Sequence, residues 1–278
     1  MRLGVSSYSF WHFRGEPYPL EQVLDDAARF GAAGCEVLEV QLGLDTGADR
    51  LHRLRRQALT LGLDLYAVST HQDFVSPDPQ VRDAQVARTV RSLELAAALG
   101  AGCIRVNSGR WKTIPGFDDF MANGGIEPPL PGHTDEQAFG WVIGCLERLL
   151  PHAERLGVML ALENHWGLTA RADGVRRIVN ALPSPHLGVV MDTGNYLRTD
   201  GDTYGQMRML AAMAALVHAK SYIGGGEWYD LDIDYTRVGG ILREANFRGY
   251  VSLEFEGRAP AAEAVPAALA GIRAGLGI

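Results

Sequence analysis

Cysteine is scarce in this sequence, and its scarcity bears on where the protein works. Three cysteines occur in 278 residues, at Cys35, Cys103 and Cys145. An odd number of cysteines without metal-type spacing is typical of reduced core residues, and it argues against a secreted domain stapled by disulfides. The sequence therefore predicts a cytoplasmic protein without a disulfide framework.

Long apolar runs and basic residues are also scarce. No apolar run approaches the roughly 20 residues of a membrane span, and the strand-like run at residues 3–10 predicts a chain without a signal peptide. The 26 basic and 33 acidic residues give a formal net charge of −7, whereas phosphate binding requires a basic face. We expect neither a membrane nor a nucleic-acid partner, although a net negative charge is compatible with a local basic groove.

What the sequence does contain is an alternation of apolar runs and amphipathic segments. Short runs rich in Val, Leu and Ile are typical of buried strands, and longer segments with apolar residues at helical spacing predict helices. The predicted strands are residues 3–9, 34–40, 63–70, 103–107, 158–164, 187–192, 216–221 and 250–255. The predicted helices are residues 20–30, 48–61, 80–99, 135–156, 172–182, 204–214, 235–245 and 261–276.

This alternation predicts the fold class. Strict strand–helix order favours a parallel sheet, and eight units in this length favour a closed (β/α)8 TIM barrel over an open sheet. Gly224, Gly225 and Gly226 open no helix and so do not form a dinucleotide-binding turn. No change in composition resembles a linker. We predict an α/β protein with a single TIM-barrel domain over residues 1–278.

The loop after the fourth strand, residues 110–134, is long for a loop of this class. Long loops at the mouth of a barrel commonly serve as lids over the substrate. We therefore predict that this loop covers the active site and excludes water. A contact between subunits of a homo-oligomer is the alternative.

Four predicted strands end in an ionisable side chain. Strands five to eight carry Glu163, Asp192, His218 and Glu254 at or near their carboxyl ends, about one unit apart. These ends meet at the mouth of a barrel, where active sites lie. A single buried glutamate is usually a structural residue, but packing does not explain four such groups in register. Three carboxylates and one imidazole predict a site for Mn²⁺ or Mg²⁺, with Co²⁺ or Zn²⁺ as alternatives.

Other polar and aromatic residues at strand ends are candidates for substrate binding. Lys220 shares a face with His218 and either binds a substrate oxygen or pairs with a carboxylate. Glu36, on the second strand, either points into the barrel as the partner of a basic group or has a structural role. Glu256 lies further out than Glu254 and is expected at the rim. The predicted substrate-binding residues are His71, Asn107, Trp111, His165, Trp166, Asn195 and Lys220.

Four segments carry a resemblance to a known family. They are Leu-Glu163-Asn-His, Met-Asp192-Thr-Gly-Asn, Val-His218-Ala-Lys220 and Ser-Leu-Glu254-Phe-Glu-Gly. They resemble the xylose-isomerase-like TIM-barrel superfamily, in its sugar phosphate isomerase/epimerase branch, and the strand–helix order matches over the whole chain. The resemblance to ketose 3-epimerases implies that Glu163, Asp192, His218 and Glu254 are metal ligands. It also implies that Glu163 and Glu254 are the catalytic proton-transfer pair.

The sequence departs from this pattern at Asn195. Epimerases and many relatives carry histidine three residues after the strand-six aspartate, so a substrate-contacting histidine is missing. The endonuclease-IV-type branch needs further histidine ligands. His71 matches one of them, but Asn107 and Asn195 stand where others are expected. The acidic net charge also disfavours DNA repair.

The predicted function is that of a divalent-metal-dependent isomerase or epimerase acting on a keto-sugar or related polyol. A metal bound to the carbonyl stabilises an ene-diolate, and one carboxylate removes the proton that the other returns from the opposite face. Each glutamate is expected to bind the metal through one oxygen and to leave the other facing the substrate. Glu163→Gln and Glu254→Gln are each expected to abolish turnover.

Three alternative functions remain open at the level of sequence. The same site serves a dehydratase or lyase if the intermediate expels a group from an inosose, a dehydroshikimate-like compound or a 3-keto-glycoside. The others are a sugar-binding barrel without turnover and a DNA repair enzyme. No phosphate-binding loop is evident, so nothing supports a phosphorylated substrate. The oligomeric state is also left open, with a homo-oligomer as one expectation.

Overall fold

Eight parallel strands close on themselves, with each strand paired to the next and β8 paired to β1. The computed structural model describes residues 1–198 and 202–278. The strands are β1 Arg2–Ser6, β2 Gly34–Leu38, β3 Asp64–Ser69, β4 Cys103–Val106, β5 Met159–Glu163, β6 Leu187–Asp192, β7 Ala214–Ser221 and β8 Tyr250–Phe255. The (β/α)8 TIM barrel predicted from sequence is confirmed.

Helices join the strands. They are α1 Leu20–Arg29, α2 Glu39–Leu42, α3 Ala48–Leu61, α4 Pro79–Leu99, α5 Phe117–Ala122, α6 Asp135–Leu156, α7 Ala172–Ala181, α8 Thr203–Ala211, α9 Tyr235–Glu244 and α10 Ala261–Leu276. Helix α6 begins with a capping box between Thr134 and Gln137 and ends at Gly157 in the left-handed conformation. Among the described residues, none of these helices combines the length and apolar character that crossing a bilayer requires.

The first two predicted strands end three and two residues earlier than expected, because polar side chains replace the hydrogen bonds between strands. The first strand gives way to a 3-10 turn at Ser7–Phe10. Ser7 Oγ accepts a hydrogen bond from the backbone N–H of Leu38, and Ser9 Oγ accepts one from Phe255. The second strand ends where α2 begins at Glu39, whose buried carboxylate binds Arg88 and Ser92.

The lower part of the barrel interior is plugged by small side chains and a stacked tyrosine pair. Tyr66 and Tyr250 lie 3.9 Å apart between ring centroids. Glycine is required beside them, because a Cβ atom on Gly4 would lie 2.5 Å from Tyr66 Cε1. A β-bulge next to Glu36 adds Tyr66 to β3, and bulges change the direction of side chains. This plug lies at the end of the barrel where the strands begin, opposite the end that carries Glu163 and Asp192.

The three cysteines are buried and form no disulfide in the described part of the chain. Cys35 belongs to the core between the sheet and the helices, and Cys103 belongs to the barrel interior. Their packing agrees with the expectation of reduced core residues.

Candidate metal centre

The structure brings the four predicted ligands together in one buried cluster. One potential ligand atom from each of Glu163, Asp192, His218 and Glu254 lies within 4.8 Å of the others. His218 Nδ1 lies 3.0 Å from Glu163 Oε1, 3.4 Å from Glu254 Oε1 and 3.8 Å from Asp192 Oδ2. The carboxylates of three strands therefore surround one ring nitrogen.

The alternation of side chains along the strands places these residues on the inner face. Along β7, Leu216 faces the barrel interior and Val217 packs toward the helices, so His218 points inward again. Pairing of Asp192 with His218 puts the ends of β6 and β7 side by side. Local sequence thus fixes the direction of each side chain, and strand register fixes its position along the barrel axis.

Asp192 offers one oxygen to the centre. Its Oδ1 accepts hydrogen bonds from the backbone N–H groups of Gly194 and Asn195, at 2.7 and 2.9 Å. Its Oδ2 is buried without a hydrogen bond among the described residues, 3.3 Å from Lys220 Nζ. Lys220 supplies one positive charge near this buried oxygen. Because no hydrogen bond occupies its lone pairs, the oxygen also fits a metal ligand.

Glu36 holds the other side of the His218 ring. His218 Nε2 lies 3.0 Å from both carboxylate oxygens of Glu36, and Glu36 also accepts hydrogen bonds from Ser69 and Ser252. The structure thus selects the inward, histidine-binding alternative for Glu36. A hydrogen bond from Nε2 to a carboxylate leaves Nδ1 as the metal-binding nitrogen.

The charges around His218 also suit a cation. Burial by itself lowers the pKa of His218, but the carboxylates of Glu254 and Glu36 and the hydrogen bonds to Glu163 and Glu36 outweigh burial and raise it well above its usual value. The same negative charge that holds a proton on the ring would hold a divalent cation. The donor set therefore fits a metal centre.

The two glutamates proposed as bases have different surroundings. Glu163 Oε2 accepts a hydrogen bond of 3.0 Å from the Asn107 amide and lies 3.6 Å from Arg105 Nε. Glu254 Oε2 accepts one of 2.6 Å from Lys220. Protein donors thus bind the second oxygen of each glutamate in this structure. That each glutamate binds a metal through one oxygen and leaves the other facing the substrate stays a prediction.

Lys220 links the centre to the rim of the barrel. It donates to Glu254 and Glu256 at 2.6 Å each. Burial alone would lower the pKa of Lys220, but Asp192, Glu254 and Glu256 raise it well above its usual value. Burial likewise favours the neutral form of Glu254, yet His218 and Lys220 lower its pKa to about 2. Of the two alternatives for Lys220, the ion pair is present, and a substrate contact remains compatible with it.

A cavity of about 240 Å³ lies directly above the cluster. The predicted site residues His71, His165, Trp166, Lys220 and Glu254 contribute to its wall, whereas Glu163, Asp192 and His218 do not. Burial, followed by the positive charge of Arg105, lowers the pKa of His71 to about 3. The remaining wall residues are Tyr8, His12, Phe13, Leu38, Arg105, Phe117, Met121, Trp228, Tyr229 and Glu256.

Three predicted substrate-binding residues do not reach this cavity. Asn107 is buried beneath it, where its amide binds Glu163. Asn195 donates to the backbone oxygen of Asn164. Trp111 donates to Asp135 at 2.9 Å and lines a separate cavity of about 340 Å³ beside α6. The location of these residues at strand ends predicted the region of the site correctly. Neighbouring side chains, however, decide which groups are exposed to a ligand.

Arg105 is the main residue of the site that sequence reasoning missed. Its Nη1 donates to the backbone oxygen of Thr70 at 2.7 Å and to Asn107 Oδ1 at 2.6 Å. The sequence spacing could have indicated Arg105, because it lies two residues before Asn107 and so shares the same face of the predicted strand. Tyr8 and His12 had no such signal, since they belong to a 3-10 turn and the residues just after it instead of a strand.

The structure is therefore a closed (β/α)8 barrel in which three carboxylates and one imidazole at the mouth have the composition of a divalent-metal site. The family model of the xylose isomerase-like TIM barrel matches residues 24–275. The chain belongs to this family, as the four segments of the sequence had indicated.

Relatives of known name share the fold at low sequence identity. The structure is similar to L-ribulose 3-epimerase, with a TM-score of 0.80 and 18% identity over 99% of this chain and 94% of that chain. It is similar to 3-keto-D-glucoside 4-epimerase from E. coli, with a TM-score of 0.76 and 17% identity over 99% of both chains. The sequence is 24% identical over 226 residues to 3-oxo-isoapionate decarboxylase of Pectobacterium atrosepticum, covering 80% of this chain and 69% of that protein.

Proposed function

We propose that this protein is a divalent-metal-dependent isomerase or epimerase of a keto-sugar or a related polyol. The observation that carries the proposal is the position of Glu254, which belongs to the four-residue cluster and also lines the cavity above it. The cavity volume of about 240 Å³ is below the roughly 300–1,000 Å³ of sites for drug-sized ligands, as suits one sugar ring. The epimerases of similar structure support this assignment.

Glu163, Asp192, His218 and Glu254 would hold the metal. Three carboxylates and one imidazole favour Mn²⁺ or Mg²⁺ over softer ions, with Co²⁺ or Zn²⁺ as substitutes. When bound, such an ion would polarise a substrate carbonyl and acidify the adjacent C–H group.

Glu254 is the residue best placed to take that proton. It lines the cavity and, with its pKa near 2, is ionised at neutral pH. Lys220 holds its Oε2 and thereby fixes the direction of the carboxylate. Return of the proton to the neighbouring carbon gives isomerisation.

Inversion at a single carbon needs a second group on the opposite face. Glu163, the other glutamate indicated by sequence, lies behind the cavity wall. Its Oε2 lies 3.7 Å from His165 Nε2, and His165 lines the cavity. We therefore assign His165 the role of passing a proton between Glu163 and the substrate in an epimerase. Arg105, also in the wall, is placed to bind a substrate oxygen.

Deuterium exchange in Mn²⁺-loaded protein tests these roles. Keto-sugars incubated in D₂O should exchange the α proton, as NMR detects. Glu254→Gln should lower exchange by about 10²–10⁴-fold, the usual contribution of a general base. Glu163→Gln should keep exchange but lose inversion. Mn²⁺ affinity, measured in parallel, separates loss of the base from loss of the ligand.

A matched control is Glu39→Gln, because Glu39 is also buried and pairs with Arg88, but it belongs neither to the cluster nor to the cavity wall. It should exchange the proton at the wild-type rate. Full activity of Glu254→Gln with metal bound would assign proton removal to another group. Absence of exchange from every ketose, inosose and keto-glycoside would favour a binding barrel without turnover.

A lyase is the second candidate, and two observations favour it. The curated relative is a decarboxylase that acts on a 3-oxo compound, and the cationic side chains Arg105 and Lys220 in the cavity wall suit a substrate carboxylate. Loss of CO₂ needs no base on the opposite face, which agrees with a single glutamate of the cluster in the wall. Release of CO₂ from a 3-oxo sugar acid, or an absorbing enone from an inosose, would identify this chemistry.

A further inference from the structure

Three aromatic side chains are exposed around the mouth of the cavity. Phe13, Phe117 and Trp228 are 50%, 39% and 41% exposed, and each contributes to the cavity wall. Every other phenylalanine and tryptophan of the described residues is at least partly buried. We call these three residues the aromatic rim. Clustered apolar exposure of this kind marks a binding site more often than chance.

The rim is built from separate segments that contact one another. Trp228 donates its ring N–H to Asp118 Oδ1 at 3.1 Å, which ties the loop after β7 to α5. The Phe117 ring meets Trp228 edge to face, with 5.1 Å between centroids. These contacts fix the positions of the Phe117 and Trp228 rings and still leave part of each ring exposed to a ligand.

Phe13 is held in an unfavourable backbone conformation. His12 and Phe13 both have positive φ, at 53° and 57°. Bulky residues rarely adopt this region, and such strain is concentrated at functional sites. Burial does not explain the strain, because half of Phe13 is exposed. Its effect is to hold the ring at the mouth, 6.2 Å from the His71 ring in the cavity wall.

We propose that the aromatic rim is an outer subsite for the second ring of a glycosidic substrate. This inference rests on the proposed function and extends it to a substrate class. One keto-sugar ring fills the inner cavity beside Glu254 and Lys220. A ring joined to it then lies at the mouth, where aromatic side chains stack on the apolar face of a sugar or on an aromatic ring.

Three probes test the subsite: methyl, phenyl and glucosyl glycosides of 3-keto-glucose, each with Mn²⁺-loaded protein. The phenyl or the glucosyl compound should exceed the methyl compound in kcat/KM and in affinity by roughly three- to tenfold, the value of one good stacking contact. Affinity is read by quenching of tryptophan fluorescence, which does not require turnover. The compound with the greater gain over the methyl glycoside shows whether the second ring is aromatic or a sugar.

Variants distinguish a role of the aromatic rim in ligand binding from a role in stabilising the fold. Trp228→Ala and Phe13→Gly should each reduce the preference for a second ring. Phe13→Gly should also leave the melting temperature unchanged or raise it, because glycine accepts positive φ. Ile126→Ala, at an exposed apolar residue on the same long loop that lines the other cavity, should keep the preference.

Equal binding of all three glycosides by the wild type would overturn the subsite. So would a preference that survives in both rim variants. Failure of the proposed function is distinguishable from failure of the subsite, because it would mean that no keto-sugar undergoes proton exchange. The fluorescence measurement still decides whether the rim binds a second ring.

Discussion

Glu36 shows how one buried side chain connects the base of the barrel to the candidate metal centre. Tyr66 donates to Ser252, Ser252 donates to Glu36, and Glu36 holds Nε2 of His218. Glu36, Ser252 and His218 are fully buried, so the ring has few alternative orientations. Residues that orient a metal ligand in this way tune the affinity of the site.

Glu36→Gln should weaken Mn²⁺ binding by about 10–100-fold, because the ring loses a charged partner that fixes its tautomer. Titration calorimetry of the purified variant measures the affinity without any substrate. Glu39→Gln is the control, since its carboxylate lies outside the barrel interior. A Glu36 variant that is folded and binds Mn²⁺ as the wild type does would show that Glu36 only fills space.

His71 should contribute to the pH dependence of stability. Its folded pKa of about 3 lies below the ordinary value of 6.5, so the unfolded chain binds a proton first on acidification. This contribution to stability is present above about pH 6.5 and is lost as pH falls toward 3. In EDTA, His71→Gln should therefore lose less thermal stability than the wild type between about pH 7.5 and about pH 5.

The exposed His52, on α3, provides the comparison for that experiment. His52→Gln should keep the pH dependence of the wild type. If His71→Gln also keeps it, the ring of His71 is not held neutral in the folded protein. An NMR signal of His71 that titrates near pH 6.5 would lead to the same conclusion.

At the scale of elements, the loop of residues 110–134, which we predict to cover the active site, is anchored by a buried carboxylate. The buried carboxylate of Glu127 accepts hydrogen bonds from the backbone N–H groups of Lys112 and Ile114 and from the Arg110 side chain. Between these anchor points, α5 carries Phe117 and Met121 into the cavity wall. The sequence did not predict α5, because its single turn and a half is too short for a periodic signal.

Deletion of residues 116–125 should raise KM and lower kcat while leaving Mn²⁺ affinity nearly unchanged. The reason is that the deletion removes Phe117 and Met121 from the cavity wall but none of the four cluster residues. Steady-state kinetics and metal titration measure the two effects on one sample. Unchanged kinetics with a smaller hydrodynamic mass would instead identify the loop as a contact between subunits.

At the scale of the whole molecule, the candidate metal centre joins β5, β6, β7 and β8. Three carboxylates close together repel one another, and a cation that binds only the folded barrel stabilises it by mass action. Mn²⁺ at about 100 times its dissociation constant should add about 2.7 kcal/mol. For a chain of this size that corresponds to a rise on the order of 5–10 °C in melting temperature.

Scanning fluorimetry with Mn²⁺ and with EDTA measures this rise. Asp192→Asn should lose most of it, because the variant lacks the charged oxygen that faces the centre. An equal rise in Asp192→Asn and in the wild type would place the bound Mn²⁺ elsewhere on the molecule. We also predict one cooperative transition, as expected of a single domain over residues 1–278.

Much of this architecture was determined by sequence alone. Eight apolar runs separated by amphipathic segments specify a closed parallel barrel, because few other arrangements bury both faces of every strand. The alternation of side chains along a strand then gives each residue a face. The convergence of Glu163, Asp192, His218 and Glu254 follows from these two rules, since each lies on the inner face near the end of its strand.

Tertiary structure decided what the centre can reach. Glu254 lines the cavity and Glu163 does not, although both stand at strand ends, because Asn107 and Arg105 hold Glu163 from the neighbouring strand. Trp111 turns away to Asp135, while Phe13 and Trp228 come to the mouth from loops without periodicity. Strand periodicity specifies a face, but exposure to a ligand depends on side chains that lie far apart in sequence.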